Sequence, residues 1–274
     1  KSHITLYVAL GIKSRACLVE GDWDGAYAAA KRVIDEGGYA VGTKSDLMGG
    51  MNSLNSSNVM WGAGIQVADQ AGGYASFFAH MDNQDGQYAK SAAKVINKQL
   101  YNRMNPTDVR RDWWDPNDKD APYVGRKFAF SNVASWLGDY IYMRVEEMYL
   151  IEAEATAHAD ASAGLQLLKT FMAKRDPEFS TSAVSSADVV EEIIWNKRIE
   201  LWGEGVVFYD FKRLNYSLKT GYVGTNVPSD CRFSTDGRAP WWNFCIPETE
   251  TQQNTALESQ NNPNPVGIID PWVQ

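Results

Sequence analysis

Residues 191–215 read EEIIWNKRIELWGEGVVFYDFKRLN, and their pattern sets the fold class. Trp195, Ile199, Trp202 and Val206 recur at steps of three and four, which places them on one stripe of a helix. Val207, Phe211 and Leu214 form a second stripe, out of phase with the first. Gly203 and Gly205 interrupt the run at a helix cost of about 1 kcal/mol each, so the stretch predicts two helices meeting at a tight turn. Lys197, Arg198, Glu200, Glu204, Asp210, Lys212 and Arg213 lie between the stripes, where the two elements meet. Glu200 and Glu204 are like charges four apart, an arrangement that needs basic partners, and Lys197, Arg198 and Arg213 stand close by in the chain.

Outward from this segment, the helical pattern repeats. DYIYMRVEEMYLIEAEATA, residues 139–157, carries Ile141, Val145, Met148 and Tyr149 on one stripe, with Arg144, Glu147 and Glu154 near one another at offsets of three and seven. Gly164–Lys174 supplies its return arm, giving a helical hairpin over about 139–175, and Ser185 offers an N-cap for the next helix. Near the start, Leu6, Ala9, Ile12, Ala16 and Val19 mark a helical face; Gly21 and Asp22 break it; Trp23–Ile34 begins again. So short a turn forces the two helices antiparallel, a tetratricopeptide-type hairpin over about 3–36. Long irregular loops separate these units, with a few short strands such as 59–67 and an edge strand at 241–246. The expected architecture is mainly α, one domain over 1–274, with helices at about 188–215 closing it.

Composition narrows the function. A formal charge of -8 without a basic cluster argues against nucleic acid as the partner. No apolar run is long enough to span a membrane. Ten Trp, 13 Tyr and 10 Phe are many for 274 residues, and flat polar-apolar ligands such as sugars stack on such rings while their hydroxyls seek amides and carboxylates. Tyr74 and Phe77 follow the flexible Gly72-Gly73 pair. Trp113 and Trp114 are adjacent, so on a strand they point to opposite faces, with one in the core and its neighbour exposed for stacking. With Trp136, and with Asp69, Gln70 and Asn132 as polar neighbours, these form the candidate ligand-binding set.

Catalytic and cofactor signatures are missing. There is no GxGxxG after a strand, no GxxxxGK[ST], no G-x-S-x-G and no HExxH. Three histidines leave little material for metal or triad chemistry; Glu154 and His158 make half a metal site with no second pair, so no cofactor and no metal are expected. Cys17, Cys231 and Cys245 have no metal spacing, and a Cys231–Cys245 disulfide is left open. Paired carboxylates serve glycoside hydrolases, but Arg144, Glu147, Glu154, Arg198, Glu200, Glu204, Asp210 and Arg213 read better as a structural ion network.

The segment 197–215, with Arg198, Glu200, Glu204, Gly205, Phe208, Asp210 and Arg213, resembles the signature of the SusD/RagB family. YIYMRVEEMYLIEAEA resembles that family's other characteristic helix, ALGIKSRACLVEGDWDGAYAAAKRVI its hairpin, and FCIPETE its closing motif. The resemblance implies a SusD-like fold built on tetratricopeptide-like hairpins, here as the C-terminal part of a longer protein. It also implies a non-catalytic, lipid-anchored protein on the outer face of the outer membrane in Bacteroidetes. Such a protein captures glycans or oligosaccharides and passes them to a SusC-like TonB-dependent transporter, touching the membrane through a lipid anchor that this chain lacks. The alternatives are a helical-repeat scaffold that binds only protein and, third, a glycoside hydrolase.

Overall fold

The structure is a computed structural model that describes residues 1–69 and 75–262. It divides into two compact units, Lys1–Val207 and the chain from Phe208 onward. In the first unit, helix α1 (Leu6–Glu20) is capped by the Thr5 hydroxyl, which accepts from Val8 N–H, and ends at Gly21 in a left-handed conformation. Asp22 then caps α2 (Trp23–Glu36), so the two helices fold back on each other as a hairpin.

α2 packs on α7 (Val145–Ala159), and α7 packs in turn against α8 (Ala161–Met172) and α9 (Ser186–Glu200). α7 is therefore the hub: Met148, Ile151 and Ala155 join Val33 and Met60 in one apolar cluster. Asp160 caps α8, and Ser185 with Asp188 forms a capping box at the start of α9. The mainly helical class and the hairpins follow the sequence pattern.

The buried face of α1 differs from the periodicity reading. Leu6, Ile12 and Val19 are exposed, while Val8, Gly11, Ser14, Cys17 and Leu18 are buried. Apolar residues occupy most of this helix's circumference, so spacing alone admits either face. The small side is the one that approaches closely: Ser14 Oγ lies 3.4 Å from Met148 Sδ, and a Cβ on Gly11 would strike Met143.

The segment 139–157 also divides where a single helix was expected. Tyr140–Arg144 forms strand β4, antiparallel to β1 (Val59–Ala63), and α7 starts only at Val145. A second two-stranded ribbon joins β2 (Trp114–Asp115) to β3 (Val124–Gly125). Short helices α3 (Lys44–Met48), α4 (Phe77–Met81), α5 (Gln87–Ser91) and α6 (Lys98–Asn102) punctuate the long connection between α2 and β4. Among the described residues no helix is long and apolar enough to cross a membrane.

α9 ends at Glu200, and Gly203 (φ 77°) and Gly205 (φ 82°) make the turn before α10 (Val207–Arg213). Both angles lie in the left-handed region that favours glycine. The second unit holds most of α10 and, further on, α11 (Glu248–Gln253). Within it Phe211 stacks on Tyr216, and Phe208 and Phe211 both contact Trp242. The edge strand expected at 241–246 is not formed; Pro240–Trp242 is a single 3₁₀ turn. Cys231 and Cys245 are not joined in a disulfide.

Candidate functional site

The centre of the first unit is ionic. Arg144, at the end of β4, meets Glu146 at 3.0 Å, Glu200 at 3.2 Å and Glu204 at 2.7 Å. Arg175 reaches Glu146 at 3.2 Å and Glu200 at 3.0 Å. Arg110 joins Asp108 at 2.7 Å and Glu200 at 3.6 Å, and Lys127 joins Glu204 at 2.6 Å. Among the described residues, four carboxylates (Asp108, Glu146, Glu200, Glu204) thus face four cations (Arg110, Lys127, Arg144, Arg175) in a charge-balanced cluster.

Burial alone would raise the Glu204 carboxyl, but Arg144 and Lys127 outweigh it and hold it below the usual range. Glu200 is likewise held low: burial opposes, and Arg175 and Arg144 prevail. Burial lowers the Lys127 ammonium to about 8 against the pull of Glu204. That ammonium also donates to the Glu200 and Trp202 carbonyls, closing the C-terminal end of α9.

Other members of the expected network sit apart from this cluster. Glu147 is paired with Arg15 at 2.6 Å, Glu154 with Lys197 at 3.3 Å, and Asp210 with Arg213 at 2.6 Å inside the second unit. Arg198 lays its guanidinium over the Trp195 ring at 4.2 Å. His158, considered beside Glu154 as half a metal site, stacks on Trp23 with ring centroids 3.7 Å apart. Among the described residues no group of three or more His, Cys, Asp or Glu is placed to hold a metal ion.

Glu204 of the cluster also lines a hollow of about 270 Å³, together with Phe77, Phe128, Tyr140, Tyr142, Met51 and Ile141. α4 positions Phe77, and its ring meets Phe128 and Tyr140 edge-on at 5.1 and 6.1 Å. Strand β4 sets Tyr140, Ile141 and Tyr142, and Tyr142 is 44% exposed with its ring against Trp61 at 5.1 Å. The arrangement joins aromatic faces to a fixed carboxylate edge.

Of the candidates read from sequence, Phe77 lies in this hollow. Trp113 and Trp114 correct the expectation of an exposed stacking ring: both are buried. The chain changes from a 3₁₀ helix to β2 between them, so adjacency does not send them to opposite faces; their rings meet edge-on at 5.8 Å in the core. Trp113 Nε1 donates to the Leu47 carbonyl at 2.8 Å. Trp136 is 39% exposed, in a small loop closed by Leu137 N–H to Asn132 O, with a φ of 52° that is unusual for a bulky residue. Asn132 is exposed in that loop and accepts from Ser135 N–H, and Asp69 is exposed and accepts from Gln66 N–H. Gln70 and Tyr74 lie outside the described residues.

Sequence reasoning missed Tyr140, Tyr142, Phe128 and Glu204 as a lining set. The alternation Tyr-Ile-Tyr at 140–142 was the available signal, since alternate positions on a strand share a face.

The chain belongs to the SusD family, whose model matches residues 73–264. No curated protein matches it. Among solved structures, it is similar to a SusD-like carbohydrate binding protein from Bacteroides vulgatus, with a TM-score of 0.79 at 24% identity over 97% of this chain and 62% of that one. A SusD superfamily protein from Bacteroides thetaiotaomicron follows at a TM-score of 0.73 and 20% identity, over 96% and 61% of the two chains. Surface glycan-binding protein A from Bacteroides thetaiotaomicron matches at a TM-score of 0.66 and 15% identity, over 95% and 64%. At these identities the likeness is one of fold, and the chain spans about three-fifths of the length of the structures it resembles.

Proposed function

We propose that this chain binds neutral glycans or oligosaccharides at the cell surface as part of a lipid-anchored outer-membrane protein, and passes them to a SusC-like TonB-dependent transporter without chemical change. The observation that carries the reading is the aromatic hollow at Phe77, Tyr140 and Tyr142, with the Glu204 carboxylate at its edge. Ring faces take up the C–H faces of a sugar, and a carboxylate accepts from its hydroxyls. The charge balance of the underlying cluster favours an uncharged ligand over an acidic or basic one. Family membership and the names of two relatives, a carbohydrate binding protein and a surface glycan-binding protein, support the same reading.

Hydrolysis fits the geometry poorly. Glu200 is fully buried and Glu204 is locked between two cations, both below the usual carboxylate range, whereas a general acid needs a raised pKa. Trp136 and Asn132, on their exposed loop, are proposed as an outer contact for a longer ligand.

Calorimetric titration with a panel of neutral oligosaccharides, followed by product analysis, tests the proposal. Binding without turnover is the expected result, weakened tenfold or more by Tyr142→Ala with far-UV circular dichroism unchanged. Turnover, or affinity indifferent to Phe77→Ala and Tyr142→Ala, overturns it.

A further inference from the structure

A second hollow of about 250 Å³ adjoins the aromatic one, and Met51 and Ile141 line both. Its walls are of a different kind: Ser45, Asp46, Asn52, Ser53, Ser56 and Asn58. Each hollow alone falls short of the size usual for small-molecule sites, about 300–1,000 Å³, and the two together fall within it.

The same ionic cluster fixes both. Glu204 edges the aromatic hollow, while Asn58 in the polar one donates to Glu146 Oε1 at 2.9 Å, and Glu146 and Glu204 are both held by Arg144. Within the polar hollow some hydrogen-bonding capacity is spent: Asp46 Oδ2 accepts from the Thr43 N–H and hydroxyl, and the Asn52 amide donates to Ala129 O. What is left is mixed. Asp46 Oδ1 has only a long contact from Ser56 Oγ, at 3.5 Å, and among the described residues the Ser45 and Ser53 hydroxyls donate to nothing. The wall between the hollows is itself strained, with Met51 in the left-handed region at φ 50°. Such outliers persist only where the surroundings hold them, and they gather at ligand sites.

Resting on the glycan-binding reading above, we infer that the two hollows form one elongated site for a neutral oligosaccharide: one sugar against the Phe77–Tyr140–Tyr142 rings, and a neighbouring sugar hydrogen-bonded by Asp46, Asn52 and Ser53 beyond Met51. Hydroxyl groups both donate and accept, which matches the mixed set left open in the polar hollow. The site therefore reads chain length, and its aromatic end by itself does not.

Calorimetry on the whole chain, with gluco- and manno-oligosaccharides of two and of six units, tests this. For the wild type the hexasaccharide binds at least tenfold more tightly than the disaccharide. Ser45→Trp, which fills the polar hollow from an exposed position, brings that ratio close to one, and Ser53→Ala lowers it severalfold if the bulky variant fails to fold. A wild-type ratio near one, or a ratio unmoved by both variants, overturns the extended site and leaves the glycan reading standing. Absence of binding at either length removes both.

Discussion

Replacing Arg144 with Met is the sharpest test of the buried ionic centre. Methionine keeps much of the side-chain stem and removes the cation, leaving Glu146, Glu200 and Glu204 without the group that lies 2.7–3.2 Å from them. The three remaining cations then face four carboxylates, of which Glu200 and Glu146 are fully buried and Glu204 is only slightly exposed. Removing one partner from a buried ion pair costs about 3–5 kcal/mol, because the charge left behind stays desolvated. Against a domain stability of about 5–15 kcal/mol, that is about a fifth or more of the total. At roughly 2–4 °C per kcal/mol, the melting temperature falls by about 6–20 °C. An exposed pair provides the contrast: Arg32–Glu36, about half exposed on each side, contributes about 0.3–0.5 kcal/mol. Urea denaturation and thermal melting followed by circular dichroism at pH 7 measure both. The double variant Arg144→Met/Glu204→Met should recover part of the loss, since it removes one of the stranded charges. If Arg144→Met costs less than about 1 kcal/mol, no more than a surface pair, the cluster does not hold the fold together.

Three further outcomes follow from the same geometry. Glu200 and Glu204 titrate lower in the folded chain than in the unfolded one, so below about pH 4.5 the unfolded state takes up protons first; the urea midpoint should fall from pH 5 to pH 3, and a flat profile would contradict the paired state. Gly203→Ala should destabilise more than Gly205→Ala in the same denaturation assay: both force a left-handed alanine at about 1–2 kcal/mol, but only at Gly203 does the new Cβ meet Phe128, at 2.6 Å. Trp113→Ala should cost about 3–5 kcal/mol of stability, as a core truncation does, and a binding defect at unchanged stability would return Trp113 to the ligand site.

Local pattern carried much of the fold. Thr5, Asp22, Asp160 and Ser185 are capping residues where helices begin, and Gly21, Gly203 and Gly205 stand where the backbone turns left-handed. These are short-range effects, decided within a few residues, and a sequence displays them directly. The failures share one cause. The α1 face, the strand at 140–144 and the burial of both tryptophans depend on partners far along the chain. β4 is a strand because β1 lies beside it, with Val59 opposite Arg144. Periodicity over five residues cannot distinguish that strand from the first turn of α7. Phe77 was visible as a ligand candidate because an exposed aromatic beside glycines is a local signal, whereas its companions Tyr140 and Phe128 come from other elements.

In Glu191–Asn215, the sequence by itself determined two helices, a glycine turn and carboxylates in need of cations. It pointed to Lys197, Arg198 and Arg213 as those cations because they are near in the chain. Tertiary structure decided otherwise: Arg144, already part of the expected network, is joined around Glu200 and Glu204 by Arg110, Lys127 and Arg175 from other stretches. The reason is geometric: the side chains of Lys197 and Arg213 are themselves buried but pair with Glu154 and Asp210, so nearness in the chain does not set which charges meet, and only folding determines which are buried together.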